Sequence, residues 1–225
     1  MLKLENINKS YGEKQIFSGF NASFRLGKVS AILGNSGQGK TTLLNVVAGL
    51  TEFSGKVTPN FEMVSYVFQG ARLIENLTLL QNVEYVLQNQ IPNKTERKNH
   101  ALYWLSLAEI SHLKNKYPSQ ISGGEAQRVQ LARAFSYKSD LLIMDEPFSS
   151  LDIGLKSRLI DLYTAFLQKS PKTVLFVTHN VIEATDFADD IYVLGKNSIT
   201  KVSFKKEDQL SRLSAQNEIY KILKG

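Results

Sequence analysis

Val29-Ser30-Ala31-Ile32-Leu33 runs directly into Gly34-Asn35-Ser36-Gly37-Gln38-Gly39-Lys40-Thr41, and this stretch decides the fold. The first part is mostly apolar and reads as a buried strand. Leu43, Leu44, Val46 and Val47 then recur at helical spacing on a segment that begins near Lys40. The loop between them matches the phosphate-loop pattern G-x-x-x-x-G-K-[ST]. Its glycines permit backbone conformations that turn successive N–H groups inward around phosphate oxygens. The start of the following helix adds further donors and a favourable dipole. In that frame Lys40 would meet the outer phosphates and the Thr41 hydroxyl would ligate Mg²⁺. An ordinary glycine-rich turn accounts for Gly34 or Gly37 singly, but not for Lys-Thr at the helix start. The motif by itself fits kinases, GTPases, helicases and transport ATPases alike.

Outward from the loop, short apolar runs recur at Val64 to Phe68, Leu141 to Met144, Thr173 to Val177 and Ile191 to Leu194. Helix-length segments separate several of them, the pattern of a mainly parallel sheet flanked by helices. Leu2 to Ile7 alternates as a strand. From about Leu77 to Ala134 the texture changes to helix formers, notably Leu80 to Gln88 and Thr95 to Ala108. This reads as a helical lobe, residues 77–137, inserted into one domain whose sheet regions are 1–76 and 138–225. After Leu194 the sequence leaves room for a short hairpin and a helix around Ser214 to Leu223, with no added regulatory domain expected. The lysines beyond Ser203 read as a solvated face.

Composition narrows the class. With 225 residues, 43% hydrophobic and 21% charged, the chain suits one sizeable globular domain. A net charge of +6 fits either simple solubility or an anionic partner. The absence of cysteine excludes disulfides and thiolate metal sites and fits a reducing compartment. The polar, alternating start lacks the apolar core of a signal peptide. No run approaches the roughly 18 uninterrupted apolar residues of a membrane span, so a membrane role would need another chain.

Leu141-Leu142-Ile143-Met144-Asp145-Glu146 is an apolar strand ending in two acids. Alternation along an extended chain would point them in different directions. Asp145 would then serve the Mg²⁺ shell and Glu146 would polarise the attacking water as general base. Pro147 turns the chain away. Alone, the pair is no more than a polar strand end; with the phosphate loop upstream, hydrolysis becomes the leading reading.

Ile121-Ser122-Gly123-Gly124-Glu125-Ala126-Gln127-Arg128 opens a helix whose face carries Val129, Leu131 and Ala132. A serine and bare amides at its start suit a phosphate oxygen, and ordinary helix capping is the plain alternative. Together with Gly34 to Thr42 and Asp145 to Asp152, it resembles the ABC ATPases, in the family's order and over nearly the whole chain. The resemblance implies an ABC-type P-loop NTPase: a RecA-like α/β core, an N-terminal antiparallel β region and an inserted helical lobe. By the same likeness Tyr11 is the aromatic on which adenine stacks, and Gln69 senses Mg²⁺ and the γ-phosphate. Ser150-Leu151-Asp152 is the loop crossing between subunits, and His179 the switch histidine. Singly, Tyr11 is also a surface aromatic, Gln69 a loop residue, Asp152 a helix cap and His179 a strand-end histidine. Ile121, Glu125 and Asn180 depart mildly from the usual leucine, glutamine and acidic residue.

The family likeness further implies two ATP molecules sandwiched in a homodimer or heterodimer of ATPase subunits. Ser122, Gly123, Gly124 and Glu125 of one subunit would face Gly34 to Thr42 of the other. It places the chain peripherally on the cytoplasmic face of a membrane, with a permease and a substrate-binding protein as partners and no nucleic acid. The run Asp145 to Asp152 resembles importer subunits, including those for nitrate, sulfonate, taurine, thiamine-related compounds and metals. The alternative is lipoprotein release or cell-division signalling, whose ATPases more often carry Thr-Gly-Asn where this chain has Phe148-Ser149-Ser150. A DNA-repair ATPase would need a long coiled coil between the motifs, but the stretch from Thr42 to Ser122 carries no sustained heptads. A translation-factor relative would carry two cassettes.

Overall fold

The computed structural model describes residues 1–224. Leu2–Tyr11 (β1) and Lys14–Phe24 (β2) form a hairpin, and Ser54–Thr58 (β4) joins it to make an antiparallel sheet ordered β2-β1-β4. The second sheet contains Val29–Leu33 (β3), Val64–Val67 (β5), Leu141–Asp145 (β6), Thr173–Val177 (β7), Asp190–Leu194 (β8) and Ile199–Val202 (β9), ordered β5-β6-β7-β3-β8-β9. All its pairings are parallel except the β8–β9 hairpin.

Every residue of β3, β6, β7 and β8 is buried, because both faces of the sheet are covered. Side chains alternate between two cores. Ile32, Leu141, Ile143, Leu175, Val177 and Leu194 face Lys40–Val47 (α1) and the antiparallel sheet. Ala31, Leu33, Leu142, Met144, Val174 and Phe176 face the opposite core. That core is built with Leu79–Leu87 (α2), Lys94–Leu107 (α3), Gly123–Ser136 (α4), Ile153–Lys169 (α5), Val181–Phe187 (α6) and Gln209–Lys224 (α7).

Three details differ from the sequence reading. The alternation in β1 slips after Leu4: Asn6 has φ 53° and the register shifts, so the next buried residue is Ile7. The last helix begins at Gln209, earlier than Ser214, because the Asp208 carboxylate accepts from Leu210 N at 3.0 Å. Nor is the tail only solvated: Lys206 Nζ donates to Phe187 O at 2.8 Å, Arg212 pairs with Asp186, and Ala215 and Ile219 are buried.

Phe135, at the end of α4, ties the helical layer together. Its ring stacks on Tyr163 of α5 at 4.0 Å and lies 6.1 Å from Trp104 of α3. Phe135→Ala is expected to lower unfolding free energy by about 3–5 kcal/mol in denaturant titration. A loss below about 1 kcal/mol would show that the junction is not cooperative with the core.

Candidate functional site

β3, β6 and β7 run parallel, so the loops leaving their C-terminal ends open on one edge of the sheet. Residues 34–39 leave β3 and enter α1. Gly39 caps α1 at φ 93°, and a Cβ there would stand 2.6 Å from Ile16 Cγ2, so no larger residue fits. The start of α1 has no side-chain cap and no acidic residue in its first turn. By contrast α2, α3, α4, α5 and α6 are capped by Thr78, Asn93, Ser122, Asp152 and Asn180. The free N–H groups of α1 therefore remain available to an anion.

Lys40 reaches back across this loop and donates to Gly34 O at 2.8 Å and Asn35 O at 3.0 Å. Burial lowers its pKa, while the charges of Glu146 and Asp145 push it up. A phosphate would offer the ammonium a stronger acceptor than these carbonyls. The Thr41 hydroxyl donates to Asp145 Oδ2 at 2.7 Å. Burial raises the pKa of Asp145 and the Thr41 hydrogen bond opposes that shift.

Glu146 adopts φ 50°, a left-handed conformation that costs a non-glycine residue about 1–3 kcal/mol. The divergence of the two acids thus comes from this turn, not from strand alternation, since β6 ends at Asp145. Glu146 N donates to Val177 O at 2.9 Å, and Ser149 Oγ donates to Glu146 O at 3.0 Å, which holds the turn. His179 Nδ1 donates to Glu146 Oε2 at 2.8 Å. The imidazole is largely exposed, with the carboxylate set behind it.

A cleft of about 360 Å³ gathers Tyr11, Ser36, Gly37, Gly39, Lys40, Thr41, Thr42, Gln69, Asp145 and Glu146. The Tyr11 ring is half exposed at its wall. Gln38 turns back on the loop, where its Oε1 accepts from Asn35 N at 2.7 Å, and Asn35 Nδ2 donates to Leu223 O of α7. Lys14 and Ile16 also line the cleft, although the sequence reading did not single them out. Their only signal was position, just past the Gly12 turn that carries Tyr11.

Ser122, Gly123, Gly124, Glu125 and Asp152 do not line this cleft. Ser122 and Glu125 close a reciprocal capping box, with Ser122 N to Glu125 Oε2 at 2.7 Å. A Cβ on Gly124 would meet Ser150 O at 2.8 Å, so the helix start sits directly against the loop that precedes Asp152. Asp152 accepts from Leu155 N at 3.0 Å and caps α5. Farther along α4, Gln127 Nε2 donates to Pro147 O, while Gln130 donates to Phe68 O and accepts from Arg72 N. One helix therefore holds both the turn after Glu146 and the loop around Gln69.

Thr41, Asp145 and Gln69 offer a hydroxyl, a carboxylate and an amide, all hard donors. Among the described residues no group of three or more His, Cys, Asp or Glu gathers to hold a metal. So sparse a set suits Mg²⁺, which keeps waters and takes phosphate oxygens from its nucleotide.

The profile of the family described as ABC transporter matches residues 17–149. The sulfate/thiosulfate import ATP-binding protein CysA 2 of Rhizobium meliloti (strain 1021) is 34% identical over 92% of this chain and 60% of its own length. CysA of Escherichia coli (strain K12) is 33% identical over 88% of this chain and 58% of its own. The chain thus spans about 60% of the length of these relatives. Among solved structures, a dimeric post-hydrolysis state of an ATP-binding cassette bound to ADP and Pi superposes with TM-score 0.82. It is 30% identical, covering 89% of this chain and 98% of that one. The fold is that of an ABC cassette. Among the described residues no helix is long and apolar enough to cross a membrane.

Lys40→Ala removes the only ammonium lining the cleft besides Lys14. ATP affinity measured by calorimetry is expected to fall by about 2 kcal/mol or more, the scale of a lost charge-assisted contact. Unchanged affinity would move the phosphate site elsewhere.

Proposed function

The chain belongs to the ABC transporter family, and from that premise we propose that it binds and hydrolyses ATP to power an importer. The observation that carries this reading is the division between two adjacent carboxylates. Both line the cleft, but Asp145 is buried and bound by Thr41, whereas Glu146 is held by His179.

The α1 N–H groups and Lys40 bind the triphosphate, and Tyr11 supplies a face for the adenine. Thr41, Asp145 and Gln69 would hold Mg²⁺, which when bound would supply neutralising charge at the phosphoryl oxygens. Glu146 accepts the proton of the attacking water. The hydrogen bond from His179 would fix which carboxylate oxygen faces that water, and the exposed imidazole would contact the γ-phosphate.

The helix start at Ser122 does not line the cleft of its own chain, which supports a second copy as its target. A likeness to a cassette solved as a dimer with ADP and Pi supports the same assembly. Two chains would then enclose two nucleotides, each between the phosphate loop of one and Ser122 to Glu125 of the other, with Asp152 at the seam. ATP would bind the closed state better than the open one; hydrolysis removes that differential affinity and lets the dimer reopen.

The membrane partner would dock beside Gln69. There a groove of about 500 Å³ lies between sheet edge and helical lobe, lined by Tyr66, Phe68, Tyr85, Val86, Arg133 and Tyr137. Gln130 ties this region to the helix that begins at Ser122, so docking and dimer closure share one rigid element. The relatives named as import ATP-binding proteins favour import over lipoprotein release or cell-division signalling. A permease with a substrate-binding protein would select the cargo, and the chain would work on the cytoplasmic face.

Glu146→Gln keeps the shape of the base and removes its charge. Turnover is expected to fall on the order of 100- to 10,000-fold with ATP still bound, and an ATP-loaded dimer should accumulate in size-exclusion chromatography. Undiminished hydrolysis would remove Glu146 from the role of base.

A further inference from the structure

α5 is gripped on both sides by ion pairs. On its outer side Arg158 makes a two-pronged contact with Glu109 at 2.9 and 3.0 Å, and Glu109 O accepts from Arg128 of α4. On its inner side Lys156 Nζ donates to Glu183 Oε1 of α6 at 2.6 Å. The second oxygen of Glu183 accepts from the Thr178 hydroxyl at 2.6 Å, and Thr178 Oγ1 accepts from Asn180 N at 3.0 Å. Glu183 and Thr178 are buried. His179 lies between Thr178 and Asn180 and is therefore held on both sides.

The outer pair is exposed, where salt and side-chain entropy leave little net energy. The inner pair is not. A buried carboxylate with both oxygens engaged tolerates few alternative geometries, because losing either partner leaves an uncompensated charge or an unmade hydrogen bond. α5 is capped by Asp152, two residues after Ser150, whose carbonyl lies against Gly124. Displacement of that loop by a second chain would move Lys156 with it.

We propose that Lys156, Glu183 and Thr178 form a positioning clamp that sets His179, and through it Glu146, according to the placement of α5. The inference rests on the ATPase reading above. It makes the hydrolytic alignment of one site respond to the loop at Ser150 to Asp152, which in the paired assembly lies at the seam with the other subunit. None of the three lines the cleft; they are positioning residues.

Steady-state and single-turnover ATPase kinetics on the full chain test this. Thr178→Val keeps volume and removes the hydroxyl. It is expected to lower kcat by on the order of 10- to 100-fold, the effect of a misplaced reacting group, with KM for ATP unchanged. Thr178→Ser should restore kcat. Lys156→Met should lower kcat in the same way and decides the matter if Thr178→Val does not fold. In a His179→Ala background neither change should slow single turnover further. An active wild type with kcat unaltered in both variants, or with losses additive to His179→Ala, overturns the clamp alone. A wild type without ATPase activity overturns the functional reading and the clamp with it.

Discussion

The 2.7 Å hydrogen bond from Thr41 to Asp145 is the contact on which the rest of the site depends. It joins the first turn of α1 to the end of β6, and so reaches across β7, which lies between β6 and the strand β3 that leads into α1. The bond therefore spans the crest of the sheet and sets how the phosphate loop faces the two carboxylates. It forms because three parallel strands end together and because Gly39 lets the loop turn into α1 at φ 93° against Ile16. It also takes one oxygen of Asp145, whereas Glu146, the other acid of the cleft, is held by His179 instead.

That arrangement concentrates costs in one place. An uncapped helix start, a half-buried lysine resting on carbonyls and a non-glycine residue at positive φ each raise the energy of the resting chain. The surrounding core is densely apolar on both faces of the sheet and holds the strained turn in place. A bound nucleotide would relieve the first two costs: its phosphates satisfy the N–H groups of α1 and draw Lys40 from Gly34 and Asn35. Binding is thereby coupled to local order. The other five helices with assigned caps have their starts satisfied internally, so this coupling is confined to α1.

Much of this was legible in the sequence, for definite reasons. Buried parallel strands print continuous apolar runs, and β3, β6, β7 and β8 were found that way. The phosphate loop is legible because its spacing is backbone geometry, and Ser122 with Glu125 because a capping box has fixed spacing. The antiparallel strands were harder. In β2 the buried residues Phe17, Phe20 and Phe24 recur at intervals of three and four, which mimic a helix, because the pairing with β1 slips at several points. The left-handed turn at Glu146 leaves no mark in composition, so alternation gave a plausible but wrong cause for the divergence of the acids. The pairing of Lys156 with Glu183 depends on α5 and α6 lying side by side across β7, a tertiary fact with no local signature.

On the proposed reading, a complete site needs the phosphate loop of one chain and the Ser122 helix start of another. Mixing tests it most directly. A Lys40→Ala chain lacks one half of each site, and a Ser122→Arg chain lacks the other; each alone should be without ATPase activity. Mixed in equal amounts, they should recover hydrolysis, because one site of each mixed pair combines an intact Lys40 with an intact Ser122. Activity in Ser122→Arg alone, or a mixture as inactive as its components, would contradict the shared site.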